Sequence, residues 1–458
     1  MLQNVPRSLT DRDLAPIFSG LRTANAVLAK AYPGESDDRQ PVHTVYGGAH
    51  LFTADSAPKL GALALAALDG FAPSAAIFAN ALGLRTEKGF AETVRARVVD
   101  KLRREPVEDY RIDFEDGYGN RSDAEEDGHA ASAAREVAAG MVAGTLPPFI
   151  GIRIKPMSNE LHQRSLRTLD LFVSTLVKTG KRQLPGHFVI TVPKVMTPAH
   201  VVAVARACTA LERRLKLAPS SLTLDLMIET PQSILAPDGS SSLRALVRGG
   251  GGRVRAAHFG TYDYTALCGI TASWQHLRHQ VCDFAKHMMQ VALAQSGVFL
   301  SDGSTNVMPV PPHNASTGRA LTAAERRENT ATVHRAWKVH FDDVTHSLVN
   351  GFYQGWDLHP AQLPTRYAAL YAFFLAARPA ATVRLRNFVE KAAQATLIGD
   401  VFDDAATGQA LLNFFVRGLS SGAITLDEAR ETGLTQKELQ GRSFLAILEA
   451  RKQALYRT

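Results

Sequence analysis

The sequence predicts an α/β fold: a closed (β/α)₈ barrel, the TIM-barrel architecture, with an N-terminal helical extension and a C-terminal helical addition. Eight short apolar or β-branched runs recur from Val42 onward, and helical stretches rich in Ala, Leu and Arg separate them. Parallel neighbouring strands need such a crossover each time. The 458 residues, 45% of them hydrophobic and 21% charged, suffice for one large α/β unit with additions.

The predicted elements follow one another in a regular order. Residues 1–41 contain a helix, "LAPIFSGLRTANAVLAKAY", and a linker, "PGESDDRQP". Residues 42–367 form the barrel, and its predicted strands read "VHTVYGGAHLF", "YRIDFEDG", "FIGIRIKP", "HFVITVPKV", "LTLDLMIET", "RAAHFGTYDY", "GVFLSDG" and "GFYQGWDLHPAQ". Residues 368–458 are predicted to be helical. An open, doubly wound sheet is the alternative that the same alternation allows.

Composition and charge argue against several classes of protein. No apolar run is long enough to cross a bilayer, and "MLQNVPRSLTDRD" lacks an apolar signal core, so we expect a cytoplasmic protein without a membrane partner. The net charge of +7 is spread along the chain, which argues against a nucleic acid partner and favours small anionic molecules. Cys208, Cys268 and Cys282 form no CxxC pair, so neither a zinc site nor a disulfide framework is predicted.

Polar side chains end most of the predicted strands. In a barrel of this type the active site lies at the carboxyl ends of the strands. The residues found there are Glu115, Asp116, Arg153, Lys155, Lys194, Glu229, Asp263, Asp302 and His359. Any one of them is compatible with a solvated loop, but their repetition at corresponding positions favours a site.

Two carboxylates from different strands suit a hard divalent cation. Glu229 and Asp263 together can hold Mg²⁺ or Mn²⁺ and leave positions for water and for substrate oxygens. A 2-oxo acid would chelate such a cation, and an adjacent arginine would stabilise the charge of an enolate. Lys194 either contributes positive charge to substrate binding or pairs with Glu115 or Asp116, and both alternatives stay open.

Six of these motifs resemble those of a known superfamily. "IDFEDGYG", "GIRIKP", "VPKV", "LMIETPQSI", "FGTYDYTALCG" and "WDLHPAQ" occur in the order expected for the HpcH/HpaI aldolase and citrate lyase β-subunit superfamily, which also resembles malate synthase in its pyruvate/phosphoenolpyruvate-binding barrel. The resemblance covers most of residues 46–363. It implies a Mg²⁺-dependent enzyme that makes or breaks a carbon–carbon bond in 2-oxo acids, hydroxyacids or acyl thioesters.

The resemblance also implies roles for individual residues. Glu229 and Asp263 match the metal ligands. Arg153 matches the arginine that binds the substrate carboxylate and oxyanion. Glu115 and Asp116 match an acidic pair that orders water at the metal. In this interpretation, the neighbouring Asp113 is a structural partner of the cluster.

The C-terminal segment carries one further resemblance. "LIGDVFDDAATGQA" is similar to a stretch that supplies an aspartate general base in citramalyl and malate synthase-like members, often from a neighbouring subunit. Asp403 would be that catalytic base, with Asp404 as the close alternative, although an aspartate here also suits a helix N-cap. His50 stands where thioester users carry an arginine, so a coenzyme A thioester is only a secondary expectation.

We therefore predict a metal-dependent carbon–carbon lyase or aldolase that works through an enolate. One alternative is an acyl-CoA condensing or thioester-hydrolysing enzyme of malate synthase-like type. Another is a carrier-dependent or non-catalytic subunit of a lyase complex. The resemblance further implies a homo-oligomer. His258 and His359 are predicted to be structural, one packed in the barrel wall and the other bonded to backbone.

Overall fold

The computed structural model describes residues 8–34, 38–315, 319–390, 396–398, 401–403 and 405–455. Eight parallel strands close into a barrel, because β1 pairs with β2 on one side and with β8 on the other. This confirms the predicted (β/α)₈ fold and excludes the open sheet. The strands are β1 (His43–Gly48), β2 (Asp109–Asp113), β3 (Phe149–Arg153), β4 (Phe188–Val192), β5 (Thr223–Ile228), β6 (Val254–Phe259), β7 (Phe299–Ser304) and β8 (Gln354–Asp357).

Helices precede, separate and follow these strands. Before the barrel lies α1 (Asp11–Ala31). The barrel helices are α2 (Ser56–Phe71), α3 (Ala75–Leu82), α4 (Phe90–Arg104), α5 (Asp123–Ala143), α6 (His162–Thr179), α7 (Pro198–Leu215), α8 (Pro231–Ile234), α9 (Leu243–Gly249), α10 (Thr261–Leu267), α11 (Gln280–Leu293), α12 (Ala323–Val349) and α13 (Leu363–Glu390). After them come β9 (Thr396–Ile398), β10 (Val401–Asp403), α14 (Ala405–Ser420), α15 (Leu426–Arg430), α16 (Gln436–Gln440) and α17 (Phe444–Leu455).

Local sequence signals set the ends of the barrel helices, as α5 illustrates. The Ser122 side chain accepts the N–H of Glu125, and the Glu125 carboxylate accepts the N–H of Ser122, which forms a capping box. Gly144 ends the helix in the left-handed region, with φ of 68°, where a side chain would be strained. The helix therefore starts and stops where its own residues satisfy the free backbone groups.

The eighth barrel helix continues into the C-terminal segment. The predicted boundary at residue 367 falls within α13, and the division of the chain into domains stays a prediction. Phe374 of α13 stacks on Tyr353, just before β8 begins, so α13 reaches the amino end of the barrel there and extends beyond it. Helix α14 returns beside it, since Phe414 contacts Phe374 and Arg417 donates to Gln40, 2.8 Å away. We call this pair the α13–α14 hairpin.

The far tip of the α13–α14 hairpin differs from the prediction. The segment after residue 368 is not wholly helical, because β9 and β10 form a two-stranded antiparallel sheet between the two helices. The sequences "TLI" and "VFD" are rich in β-branched and aromatic residues, which favour strands.

A buried network joins the last strand to the first. Asp357 of β8 lies 2.7 Å from His43 Nδ1 of β1 and 2.9 Å from His340 Nε2 of α12. Arg366 of α13 adds a third contact at 2.9 Å. Although burial opposes ionisation, Arg366 and the two histidines hold the pKa of Asp357 well below its usual range. The network therefore fixes the seam where the barrel closes.

The interior of the barrel is more polar than the strand sequences led us to expect. Side chains alternate along a strand, so Asp109, Arg111 and Asp113 of β2 share one face. Arg111 pairs with Asp109 and, at 2.6 Å, with Asp225 of β5. His258 Nε2 of β6 lies 3.3 Å from the same Asp225 carboxylate, which places His258 in the barrel interior rather than in a site. Ion pairs rather than apolar layers thus fill the centre.

Membrane-spanning character was assessed for the helices of the described ranges. No single one of them is both long enough and apolar enough to cross a bilayer, although α2 and α3, which meet at a bend of 93°, satisfy both criteria as a pair. Residues of both helices are buried against the protein, among them Leu68 and Phe78.

Gly151 tests the packing of the barrel wall. A Cβ atom there would overlap the carbonyl group of Val189 on the neighbouring strand. We expect Gly151→Ala to destabilise the protein by about 2–3 kcal/mol or more, because backbone atoms cannot move aside cheaply. Urea unfolding measures this, with Gly186→Ala as the control, since a Cβ at Gly186 meets no atom within 4 Å. Equal unfolding midpoints for the two variants would contradict the described register.

Candidate active site

Asp113 organises the acidic turn that follows β2. Its carboxylate is fully buried, Oδ1 accepts the N–H of Glu115 at 3.0 Å, and Oδ2 accepts the N–H of Gly117 at 2.7 Å. A Cβ on Gly117 would lie 2.6 Å from Asp113 Oδ2, so glycine is needed for this approach. The turn directs Glu115 and Asp116 towards the carboxyl-end face of the barrel. Asp113 is thus the structural partner that the sequence predicted.

Arg153 ends β3 and is held on several sides. Its Nε and Nη2 atoms donate to the two oxygens of Asp113, at 2.7 Å and 2.5 Å. Nη1 lies 3.0 Å from Glu115 Oε2, and the guanidinium group lies over the Tyr46 ring at 4.8 Å. Burial alone would lower the pKa of Arg153, but Asp113 and Glu115 raise it well above its usual value. Arg153 is therefore a fixed, permanent cation that is only 4% exposed.

Lys194 follows β4 and lies where four carboxylates converge. It adopts the left-handed region, with φ of 48°, and its backbone N–H donates to Glu229 Oε1 at 2.7 Å. Its ammonium group bonds to Glu115 and lies 3.3 Å from Asp116 and 3.2 Å from Asp263. Burial opposes the charge, but the surrounding carboxylates raise the pKa of Lys194. The ion pair, one of the two alternatives left open by the sequence, is present, and the role of Lys194 in substrate binding stays a prediction.

Glu229 and Asp263 come from adjacent strand ends. Glu229 directly follows β5 and is only 2% exposed, whereas the Asp263 side chain, in the first turn of α10, is 37% exposed. Burial, together with the negative charge of Glu115 and Asp263, raises the pKa of Glu229 to about 8. A Cβ on Gly260 would lie 2.5 Å from Glu229 Oε2, so glycine makes room for this carboxylate.

Negative charge exceeds positive charge in this cluster. Two cations, Arg153 and Lys194, face five carboxylates, which are those of Asp113, Glu115, Asp116, Glu229 and Asp263. Burial and the charge of Asp116 raise the pKa of Glu115, although Arg153 and Lys194 oppose this shift.

The donor set fits a divalent cation that takes few protein ligands. Among the described residues, no three His, Cys, Asp or Glu side chains are arranged as a complete metal site. Mg²⁺ commonly takes only one or two carboxylates and fills its other positions with water and substrate oxygens. Glu229 and Asp263 supply such a pair, and the surplus of negative charge beside them favours a cation.

Most of the predicted site residues meet at this face, and one does not. Arg153, Lys194, Glu115, Asp116, Glu229 and Asp263 form the cluster. The backbone of Asp403 lies at the far tip of the α13–α14 hairpin, beyond the opposite end of the barrel, and its side chain is outside the described part. Asp404 is outside the described residues as well.

Two other residues that were predicted to lie at strand ends make structural contacts. Asp302 is fully buried and pairs with Lys286 at 3.0 Å and with Ser347 at 2.7 Å, on the outer side of β7. His359 Nδ1 accepts the N–H of Ala361, so its imidazole bonds to backbone as predicted.

Tyr46 is the part of the cluster that sequence reasoning missed. Its ring lies between the guanidinium group of Arg153 and the ring of Trp356, 4.7 Å away. The signal was weak, because a single tyrosine in the run "HTVYGG" does not reveal which face of β1 it occupies.

A cavity opens beside the cluster on the carboxyl-end face. It has a volume of about 760 Å³, and its wall includes Glu115, Asp116, Lys194, Arg121 and Lys155. Arg153, Glu229 and Asp263 do not line it. The cavity therefore gives solvent access to one side of the cluster.

The closed barrel and the acidic cluster at the carboxyl ends of its strands define a (β/α)₈ barrel protein with a candidate site at that face. The chain belongs to the family described as "Domain of unknown function (DUF6986)", whose model matches residues 21–447. No curated protein matches the sequence.

Solved structures resemble the protein at low sequence identity. A citrate lyase from Burkholderia xenovorans LB400 has a TM-score of 0.55 and 18% identity, over 75% of this chain and 93% of that chain. CitE from Mycobacterium tuberculosis, in complex with magnesium, acetoacetate and coenzyme A, has a TM-score of 0.46 and 13% identity, over 84% of this chain and 100% of that chain. Malate synthase from Haloferax volcanii, in a pyruvate/acetyl-CoA ternary complex, has a TM-score of 0.43 and 15% identity, over 91% of this chain and 99% of that chain. The similarity to the citrate lyase shows a shared fold, as the predicted superfamily resemblance implied.

Asp113→Asn tests the central ion pair. The substitution removes the charge that balances buried Arg153, and breaking such a pair typically costs about 3–5 kcal/mol. We expect a clear fall in the midpoint of urea unfolding. Asp100→Asn is the control, because Asp100 is 65% exposed and pairs with the exposed Arg104. If both variants unfold at the wild-type midpoint, Asp113 does not hold the turn.

Proposed function

We propose that the protein is a Mg²⁺- or Mn²⁺-dependent carbon–carbon lyase or aldolase that acts on a 2-oxo acid, a hydroxyacid or a related acyl substrate through an enolate. The observation that supports this most directly is the pairing of surplus buried carboxylates with one fixed arginine at the carboxyl ends of the strands. Barrels host many chemistries, so the proposal rests on these residues rather than on the fold.

Glu229 and Asp263 are the proposed ligands of the divalent cation. When bound, the cation would act as a Lewis acid towards the substrate carbonyl and offset developing negative charge. Glu229 is held in place by the N–H of Lys194 and by the close packing of Gly260, so its carboxylate does not depend on the cation for its position. Asp263 is more exposed, so a substrate would reach the cation from the side of the cluster where Asp263 lies.

Arg153 is the proposed binding group for the substrate carboxylate or enolate oxygen. Asp113 engages Nε and Nη2, so Nη1, beside Glu115, is the donor nearest the rest of the cluster. A donor whose position is fixed before the reaction stabilises developing charge without reorganising, which lowers the barrier. Tyr46 supports this placement from the other side of the guanidinium plane.

Lys194, Glu115 and Asp116 are proposed to manage charge and water beside the substrate. Lys194 is held by ion pairs, and an anionic substrate would compete for it with Glu115 and Asp116. The two acidic residues would order water that carries protons to and from the enolate. A general base role for Asp403 would need the tip of a neighbouring chain's α13–α14 hairpin, as the superfamily resemblance implies.

The adjoining cavity favours one alternative within the same chemistry. Its volume of about 760 Å³ is much larger than a small oxo acid needs. A longer acyl group, including a thioester, would have room beside Lys194. This supports the acyl-CoA condensing or thioester-hydrolysing alternative as the second candidate.

Calorimetry with Mg²⁺ and Mn²⁺ tests the proposal, with and without pyruvate, oxaloacetate and glyoxylate. We expect an oxo acid to bind only when the metal is present, because the acid needs the cation to offset the surrounding carboxylates. Glu229→Gln should abolish metal binding without unfolding the barrel, since it removes one anionic ligand at similar volume.

Glu87→Gln is the matched control, because the Glu87 side chain is 61% exposed and lines a separate pocket that contains none of the cluster residues. It should bind metal as the wild type does. Unchanged metal affinity in Glu229→Gln would overturn the ligand assignment. Absence of both metal and oxo acid binding in the wild type would show that the cluster is a structural ion-pair network.

A further inference from the structure

The cavity beside the acidic cluster is lined by charges of both signs. Cationic side chains in its wall are Arg121, Lys155, Arg164, Arg167 and Lys194. Acidic side chains in the same wall are Glu115, Asp116, Asp123, Glu126 and Glu160. Opposite charges in contact with each other largely cancel for a ligand that lies further away. The kind of ligand that the cavity attracts therefore depends on which charged side chain has no partner.

Four of these cations form ion pairs with carboxylates. Lys194 is held by the acidic cluster. Arg164 and Arg167 both pair with Asp127, at 2.5 Å each. Lys155 has a carboxylate 3.2 Å away and also donates to a backbone carbonyl at 2.7 Å. The charges of these four side chains are thus largely neutralised within the protein.

The remaining cation, Arg121, is exposed at the cavity wall and forms no ion pair with any carboxylate of the described ranges. The acidic side chains that follow it in the chain are engaged elsewhere. Asp123 lies 3.8 Å from Arg164, and Glu125 accepts the N–H of Ser122 at 3.0 Å. Among the nitrogen atoms of the Arg121 side chain, only Nε has an acceptor in the part of the chain that the structure describes. Both Nη atoms are therefore available to a ligand.

The Arg121 side chain is held in place although it is exposed. Its Nε donates to the carbonyl of Tyr118 at 3.3 Å, and its guanidinium group lies over the ring of the same residue at 5.0 Å. Tyr118 is only 2% exposed, and its hydroxyl group bonds to His129 Nδ1 at 2.7 Å. The ammonium group of Lys155 lies over the same ring at 5.4 Å, which brings a second cation close to Arg121. A side chain that is already held loses little entropy when it binds an anion.

The turn after β2 connects Arg121 to the acidic cluster. Arg121 follows Asp116 by five residues, so the two Cα atoms would lie no more than about 17 Å apart even in an extended segment. The chain turns instead, because the N–H groups of Tyr118 and Gly119 both donate to the carbonyl of Glu115, at 3.0 and 3.2 Å. Arg121 and the cluster therefore line one cavity, within reach of a single small ligand.

We propose that Arg121 is a specificity-determining residue, which binds a second carboxylate of the substrate at the end remote from the proposed cation ligands. An arginine offers two parallel N–H donors to the two oxygens of a carboxylate, and both Nη atoms of Arg121 are available for this. The preferred substrates are then oxo acids or hydroxyacids that carry two carboxylates. This inference rests on the proposed function, because it assumes that the oxo acid group binds beside Glu229 and Asp263.

Calorimetry of the full chain at saturating Mg²⁺ tests the proposal with pairs of oxo acids. Oxaloacetate, 2-oxoglutarate and 2-oxoadipate are each compared with the monocarboxylate of the same chain length, which is 2-oxobutanoate, 2-oxopentanoate or 2-oxohexanoate. In the wild type, at least one dicarboxylate should bind about fivefold tighter than its monocarboxylate, a modest ratio because Arg121 is exposed. Arg121→Gln should lower the affinity for that dicarboxylate to about the affinity for its monocarboxylate.

Arg167→Gln is the matched control. Arg167 lines the same cavity and its side chain is 60% exposed, but it already pairs with Asp127. This variant removes the same charge and should keep the preference for the dicarboxylate. Because Arg121 and Arg167 are both exposed, both variants should keep the thermal unfolding of the wild type, which verifies their fold.

The possible outcomes separate this inference from the proposed function. A wild type that binds monocarboxylic oxo acids with Mg²⁺, but none of the dicarboxylates more tightly, removes the inference and leaves the proposed function standing. A preference that persists in Arg121→Gln shows that another group binds the second carboxylate. Equal loss in Arg121→Gln and Arg167→Gln assigns the preference to the general charge of the cavity and contradicts the role of Arg121. A wild type that binds no oxo acid in the presence of Mg²⁺ overturns both.

Discussion

The ion pair between Asp113 and Arg153 is the interaction on which the acidic face of the barrel depends. It joins the ends of β2 and β3, and the same carboxylate accepts the backbone N–H groups that shape the following turn. A buried ion pair contributes only when further hydrogen bonds satisfy the charges, and here both partners have them. The positions of Glu115 and, through it, of Lys194 follow from this pair.

The side chains around this pair are held in fixed positions, but the cluster has more carboxylates than cations. Lys194 neutralises part of the acidic surplus, yet burial still raises the pKa of Glu229 to about 8. Burial and the neighbouring carboxylates therefore favour the protonated form of Glu229, whereas a bound cation would favour the ionised form. Binding of a divalent cation and release of a proton are coupled in such a site.

The strand pattern was enough to predict the barrel and most of the cluster. Carboxyl ends of parallel strands meet at one face, so Glu229, Asp263 and Arg153 were expected together before any contact was known. The location of Asp403 was beyond sequence reasoning, because it depends on how far α13 runs past the barrel. Tyr46 was missed because its role arises from packing across β1, which leaves no motif. The ion pairs inside the barrel were visible only in the alternation of Asp109, Arg111 and Asp113, whose partners lie on other strands.

The seam between β1 and β8 has a consequence for how the chain reaches this structure. His43 and Asp357 are 314 residues apart, so the network between them forms only after nearly the whole barrel has been synthesised. Until then β1 presents an unpaired edge, which is prone to wrong pairing with other chains. Contacts of such long sequence separation also slow folding. During translation, the backbone groups at one edge of β1 thus lack their partner strand until β8 has left the ribosome.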